Sequence, residues 1–357
     1  MIATTVLGFI TVLFAFLAKY KNIRWGLEFS FLLIFLFLAL RYNFGNDYKA
    51  YFESFIEINR YASLDIFDKT NQFEPAWILL NRLFKPLGFF PMVALLSGFH
   101  CFVFYRFIKK NVPANYYWLA VFLYVFNTTF LLILSSAMRQ SVAVTLFIIA
   151  IDYIYKRKIV PYLLLIGLAS LFHTSALFLI PFYFLGYVNW RITLPYALII
   201  VSIFTSFFLA QEFLSEQINS IVQTYFKKYE VYEGGSQLAS GFGMLFYIMM
   251  FIITILYAKY FSKKSSLLFK LAIISFMFIP LGFIITLIGR VGFYFAPATI
   301  ISYPLIFSST KRPLFMYGLG FLMIFMTLYS YFTFFQSDMW QDAFGTYHTI
   351  FSTSNIY

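Results

Sequence analysis

Six ionisable residues stand where apolar runs begin, end or turn: Arg41, Asp47, Glu74, Arg139, His173 and Arg290. The arginines suit a diphosphate. A planar guanidinium gives paired hydrogen bonds to phosphate oxygens and does not lose its charge. A carboxylate or an imidazole suits removal of a proton from a sugar hydroxyl. Three cations and three proton carriers, drawn from distant parts of the chain, fit transfer chemistry on a lipid-linked diphosphate. Arg139 carries the strongest signal. With Gln140 it opens an otherwise apolar helix that closes on Lys156-Arg157-Lys158. A cation at a helix N-terminus opposes the helix dipole, and at a membrane boundary it is costly to place.

Each residue also has a structural reading. Arg41 could be a snorkelling interface anchor. Asp47 lies in the turn-like Gly45-Asn46-Asp47-Tyr48 and could cap a helix. Glu74 precedes Pro75 and an apolar helix, so it could mark a helix start. A single histidine in an apolar run, such as His173, is commonly a packed, hydrogen-bonded residue. Arg290 sits in Gly289-Arg290-Val291-Gly292, with flexible backbone expected on both sides. Tyr347 and His348, in the C-terminal tail, carry a weaker signal.

The elements that position these residues follow from composition. The chain is 62% hydrophobic and 11% charged, against about 25% charged in soluble domains. Long apolar runs recur from end to end, so the expected fold is all-α: a polytopic integral membrane protein. It should form one domain over residues 1–357, with about 11–12 membrane segments and periplasmic loop regions near 41–75 and 211–241. The net charge of +12 does not indicate nucleic acid, because the basic residues lie in short clusters between apolar runs. In the topology expected here, 16 of the 26 basic residues face the cytoplasm with two acids, Glu28 and Asp152; the other 10 lie outside with 12 of the 14 acids. The run 2–18 lacks a basic n-region and a cleavage site and is expected to be a retained helix. Cys101 is the single cysteine, which excludes a disulfide framework and a thiolate metal site. There is no Asp-x-Asp pair, no His-Glu-x-x-His and no Gly-rich phosphate loop. Asp65 and Asp68 are weak evidence for a metal. A reaction without metal or cofactor is expected.

One segment decides the topology. Residues 159–187 are either one span or a re-entrant hairpin turning at His173. Each half of a hairpin has about 12 residues, or roughly 18 Å of helix, too short to cross a ~30 Å core alone. A single span would invert every later loop and put Lys259, Lys263, Lys264, Lys311 and Arg312 outside. The hairpin keeps them in the cytoplasm and is expected here. Residues 76–85 are expected to form an interfacial helix, 115–134 an outward span, and the stretch after 211 an amphipathic surface helix followed by a loop at Gly234-Gly235.

The run Arg41-Tyr42-Asn43-Phe44-Gly45-Asn46-Asp47-Tyr48-Lys49-Ala50-Tyr51 resembles the R-x-x-x-G-x-D-Y-x-x-Y opening of EpsG-type membrane proteins, a family that includes Wzy-like polysaccharide polymerases. Glu74-Pro75 matches its next landmark. Met138-Arg139-Gln140-Ser141-Val142-Ala143 is similar to its R-Q-x-x-A helix start. Ala169-Ser170-Leu171-Phe172-His173-Thr174-Ser175-Ala176 is similar to its A-S-x-F-H-x-S-A turn. Arg290-Val291-Gly292-Phe293-Tyr294-Phe295 matches a later basic-aromatic landmark, while Gly345-Thr346-Tyr347 lacks the proline of the family's P-Y ending. The resemblance implies an inner-membrane polymerase that joins oligosaccharide repeat units carried on undecaprenyl diphosphate, with its site facing the periplasm. Its partners would be that lipid-linked oligosaccharide, membrane lipid and a chain-length regulator protein. On the chemical reading, Asp47 or His173 takes the acceptor proton, and Arg139 and Arg290 neutralise the diphosphate. Arg41, Tyr48, Tyr51, Glu74, Gln140, Ser175, Tyr294 and Tyr347 are the substrate-binding candidates. A ligase or other membrane transferase, a lipid-linked sugar flippase and a non-catalytic assembly subunit are the competing classes.

Overall fold

The computed structural model describes residues 1–20, 23–58, 73–188, 198–199, 201–203, 205–206, 241–258, 263–284, 286–309 and 313–353. The amphipathic helix expected after residue 211 and the Gly234-Gly235 loop lie outside those residues. Contacts gather the chain into two compact units, Met1–Ile180 with Thr310–Tyr357, and Pro181–Ser309.

The first unit is built from apolar runs that satisfy their backbone groups internally as helices. Helix α1 (Ile2–Leu17) pairs with α2 (Gly26–Ala39). A strand β1 (Arg41–Tyr42) follows, then α3 (Tyr48–Glu57), α4 (Pro75–Phe84) and α5 (Phe89–Asn111). Gly26 lets the α1–α2 pair close, since a Cβ there would stand 2.1 Å from the Phe14 carbonyl. Helix α5 packs between α2 and α8 (Met138–Tyr155). Two ion pairs tie these three helices at one end: Lys109 Nζ lies 2.6 Å from Glu28, and Lys110 pairs with Asp152. A helix does form where one is expected at 76–85: α4 is opened by Glu74 at its N-cap and Pro75 in its first turn, where a missing N–H costs nothing.

The run 115–134, expected as one outward span, is not one straight helix. Helix α6 (Tyr117–Phe126) ends at Asn127, and the chain bends by 62° into a π-helical turn (Thr129–Ile133) and α7 (Leu134–Ser136). Asn127 Oδ1 accepts the Thr129 amide at 3.1 Å, replacing a backbone acceptor at the break.

The segment 159–187 is a hairpin. Helix α9 (Ile159–Ser170) packs on α8, the chain turns through Leu171–His173, and a 3₁₀ helix (Thr174–Gly186) follows. Tyr162 donates its hydroxyl to the Leu179 carbonyl at 2.6 Å. In one straight helix those residues would stand about 25 Å apart, so the two limbs fold back on each other.

Strand β2 (His348–Thr349) pairs antiparallel with β1, Arg41 opposite Thr349 and Tyr42 opposite His348. In the second unit, helices Gly241–Ala258, Lys263–Ile284, Thr286–Phe295 and Pro297–Ser309 pack together, and the last two bend by 47°. The flexible backbone expected around Arg290 is helical instead. Gly292 serves close packing, because a Cβ there would meet Phe278 Cβ at 3.0 Å. The buried Lys270 donates to the Leu185 carbonyl at 3.3 Å and to that of Val188.

The chain is a helical membrane protein. Among the described residues, Phe89–Asn111, Met138–Tyr155 and Leu314–Phe334 are long and apolar enough to cross a bilayer, or up to five spans if each bent pair counts as one. Shorter apolar helices of 10–17 residues, α1, α2 and α9 among them, fall on the other runs that the sequence marks as membrane segments.

Candidate active site

Three of the sequence-selected residues meet in the first unit. Arg139, the second residue of α8, pairs through Nη1 with Glu74 Oε2. The other oxygen of that carboxylate, Oε1, lies 3.4 Å from Nδ1 of His173. That contact is close enough for an ion pair with a protonated imidazole, but its angle is not that of a made hydrogen bond. The Thr174 amide points at the same oxygen from 3.4 Å. Glu74 therefore stands between a guanidinium 65 residues away and an imidazole on the hairpin turn. The three side chains are 23%, 16% and 17% exposed (Arg139, Glu74, His173), so the cluster is sheltered yet open to a ligand.

Local structure explains how they arrive there. The α4 N-terminus presents Glu74, and the hairpin turn docks on it through the Ala76 amide, which donates to the Leu171 carbonyl at 3.0 Å. Phe172 packs on a buried cluster that includes Tyr48, Tyr51, Phe55, Trp77 and Met138. Tyr51 joins the site through its hydroxyl, which accepts from Arg139 Nε at 3.3 Å. Phe73 places its ring 4.8 Å from the Arg139 guanidinium carbon, a cation–π distance. Sequence reasoning missed Phe73, although its place beside Glu74-Pro75 is a usable signal.

Electrostatics keep the centre charged. Burial pushes the Glu74 carboxyl upward, but the His173 contact and the Arg139 charge outweigh it and hold the group down at about 2. Burial raises the Tyr51 phenol, against the pull of Arg139.

The other candidates have different surroundings. Arg41 is enclosed, at 2% exposure. Its Nη1 donates to the Leu38 carbonyl at 2.7 Å and Ser97 Oγ at 3.1 Å, and its Nη2 to the Ser135 carbonyl at 2.9 Å. Burial lowers its guanidinium to about 10, so it stays charged at neutral pH. The Tyr48 hydroxyl donates to the Arg41 carbonyl at 3.0 Å. Asp47 is the N-cap residue of α3; its amide donates to Ser136 Oγ at 3.0 Å, and its Oδ1 accepts from Asn46 at 3.0 Å. Gly45 has φ +126°, and a Cβ there would stand 2.7 Å from Ser136 Oγ. Arg41, Gly45 and Asp47 thus fasten the β1–α3 loop to the turn that launches α8, three to four residues before Arg139. Gln140 is buried within α8, and Ser175 follows the hairpin turn. Tyr347 stacks on Phe37 at 4.1 Å and donates to the Phe37 carbonyl at 2.7 Å. Arg290 and Tyr294 belong to the second unit, on the helix Thr286–Phe295. Among the described residues, no three of His, Cys, Asp and Glu gather as metal ligands.

A family model described as the EpsG family matches residues 24–349. No curated protein and no solved structure matches the chain.

Proposed function

The chain belongs to the EpsG family, and from that membership and the Arg139–Glu74–His173 cluster we propose a membrane polysaccharide polymerase that joins lipid-linked oligosaccharide repeat units. The donor is a glycan on undecaprenyl diphosphate, and the acceptor is a hydroxyl of a second lipid-linked unit. His173 takes the acceptor proton at Nε2, because Nδ1 faces Glu74. The acceptor oxygen then bonds to the donor's anomeric carbon as the bond from that carbon to the diphosphate oxygen breaks. The leaving diphosphate gains one negative charge, which Arg139 neutralises with donors not engaged by Glu74 and Tyr51. Glu74 ties base and cation together: it orients the imidazole, balances the imidazolium that forms and holds the guanidinium in place. Phe73, partly exposed beside the Arg139 guanidinium, gives a sugar ring apolar surface next to the charges.

The shared Glu74 carboxylate carries this reading, since general-base and leaving-group chemistry need an imidazole and a fixed cation within one substrate's reach. The experiment is deletion of the gene in a polymer-producing host with analysis of lipid-linked glycans. Accumulation of a single-repeat glycolipid, reversed by the wild-type chain, is expected. Full-length polymer that fails to reach its final acceptor would assign the chain to a ligase instead.

A further inference from the structure

The return limb of the hairpin, Thr174–Gly186, is a 3₁₀ helix of 13 residues. Such runs are uncommon beyond three or four residues, because their hydrogen bonds are poorer than those of an α-helix. Pro181 disfavours the α alternative locally, since its ring would clash with the Leu177 carbonyl. One proline does not account for 13 residues, but the two ends of the limb add a second cause. At its start the Thr174 amide points at Glu74 Oε1 from 3.4 Å, so a carboxylate faces the positive end of the helix dipole. At its close Lys270 Nζ donates to the Leu185 carbonyl at 3.3 Å and to the Val188 carbonyl, so a cation faces the negative end. Lys270 is 7% exposed and lies in the buried run 267–273, whose other residues are all apolar. A lysine there is costly unless its hydrogens are bonded. Carbonyls left over at a helix end inside a membrane are costly too. Each cost answers the other.

We propose that Lys270 is a positioning residue for His173. It acts through the limb. By capping the carbonyl end it keeps the 13 residues in the longer 3₁₀ form, about 26 Å against about 20 Å as an α-helix. With that end fastened, the length and twist of the limb fix where Thr174, and His173 before it, come to rest against Glu74. The inference rests on the reading of His173 as the base, and the arms of the test separate the two.

The first arm needs no substrate. Ala76→Cys and Leu171→Cys, placed where the hairpin turn docks on α4, are joined by a short bifunctional reagent in native membranes. Cys101 is buried and does not compete. Lys270→Met should lose most of the cross-link and Lys270→Arg should restore it; an undiminished cross-link in Lys270→Met overturns the proposal. The second arm is polymerisation of a synthetic lipid-linked unit. Lys270→Met should lower kcat about tenfold with little change in KM, and should cost nothing further in a His173→Ala background. Losses that simply add overturn the proposal. A wild-type chain that makes no polymer refutes the reading of His173, while the cross-link still judges Lys270. Because Lys270→Met can fail to fold, a cryo-electron-microscopy map of the wild-type chain in lipid nanodiscs completes the test. It should show the lysine head against the Leu185 and Val188 carbonyls. An α-helical limb, or a Lys270 side chain directed elsewhere, overturns the proposal whatever the variants do.

Discussion

A carboxylate shared between a guanidinium and an imidazole makes Glu74 the residue on which the other two depend. Its ionisation has a stability consequence with a definite sign. The group's ordinary value is 4.5, and in the folded chain it is held at about 2. A carboxyl whose pKa is depressed on folding stabilises the fold above its unfolded value. That stabilisation is lost as pH falls from 4.5 toward 2. Glu74→Gln is therefore expected to lower the thermal midpoint at neutral pH and to flatten its dependence across that acid window, as read by tryptophan fluorescence in detergent. An unchanged acid slope would contradict the assignment. Arg139, Glu74 and His173 were legible in the sequence because a charge or imidazole beside an apolar run is costly and so draws notice. Their pairing was not, since nothing local links Glu74 to Arg139, 65 residues on, or to His173 on the distant hairpin turn. Arg41 shows the complementary limit. Its type and position suggest a ligand contact, but only the fold reveals that the guanidinium turns inward under the loop.

The hairpin is the element that brings His173 to Glu74. Its chain reversal followed from length and charge parity, and the Tyr162–Leu179 hydrogen bond reports it directly. Cysteines introduced by Tyr162→Cys and Leu179→Cys should be joined by a short bifunctional reagent in native membranes, seen as two fragments that stay linked after cleavage at a protease site engineered between them. Absence of the cross-link, with both thiols reactive, would indicate a straight span and remove His173 from the site. Removing only the Tyr162 hydroxyl, as Phe, leaves the Leu179 carbonyl without that donor. The cost should be about 1–3 kcal/mol, measured as a lowered unfolding midpoint. The break after α6 was harder to read, because Asn127, Thr128 and Thr129 are neutral and barely interrupt the hydropathy of the run. The glycines flanking Arg290 misled for a related reason. Glycine marks both flexible loops and tightly packed helices, and at Gly292 the Phe278 contact decides for packing.

Across the first unit, charge is sorted to the two ends of α8, at positions about 20 Å apart. Asp152, paired with Lys110, marks one end, and Arg139, paired with Glu74, marks the other. Both acids expected in the cytoplasm, Glu28 and Asp152, are bonded to successive lysines of α5. The orientation is open to direct test. An impermeant maleimide should label Glu53→Cys from outside intact cells or spheroplasts and Lys156→Cys only after permeabilisation; the reverse pattern would invert the expected topology. The central claim, that Arg139 and His173 carry transfer chemistry through Glu74, is tested most directly by polymerisation in vitro. Purified protein is supplied with a synthetic lipid-linked repeat unit, and products are sized. The wild-type chain should extend the unit into polymer. His173→Ala should be slower by about 10²–10⁴-fold and Arg139→Ala by about 10²–10³-fold, each at normal membrane abundance. Wild-type polymer from both variants would contradict the account.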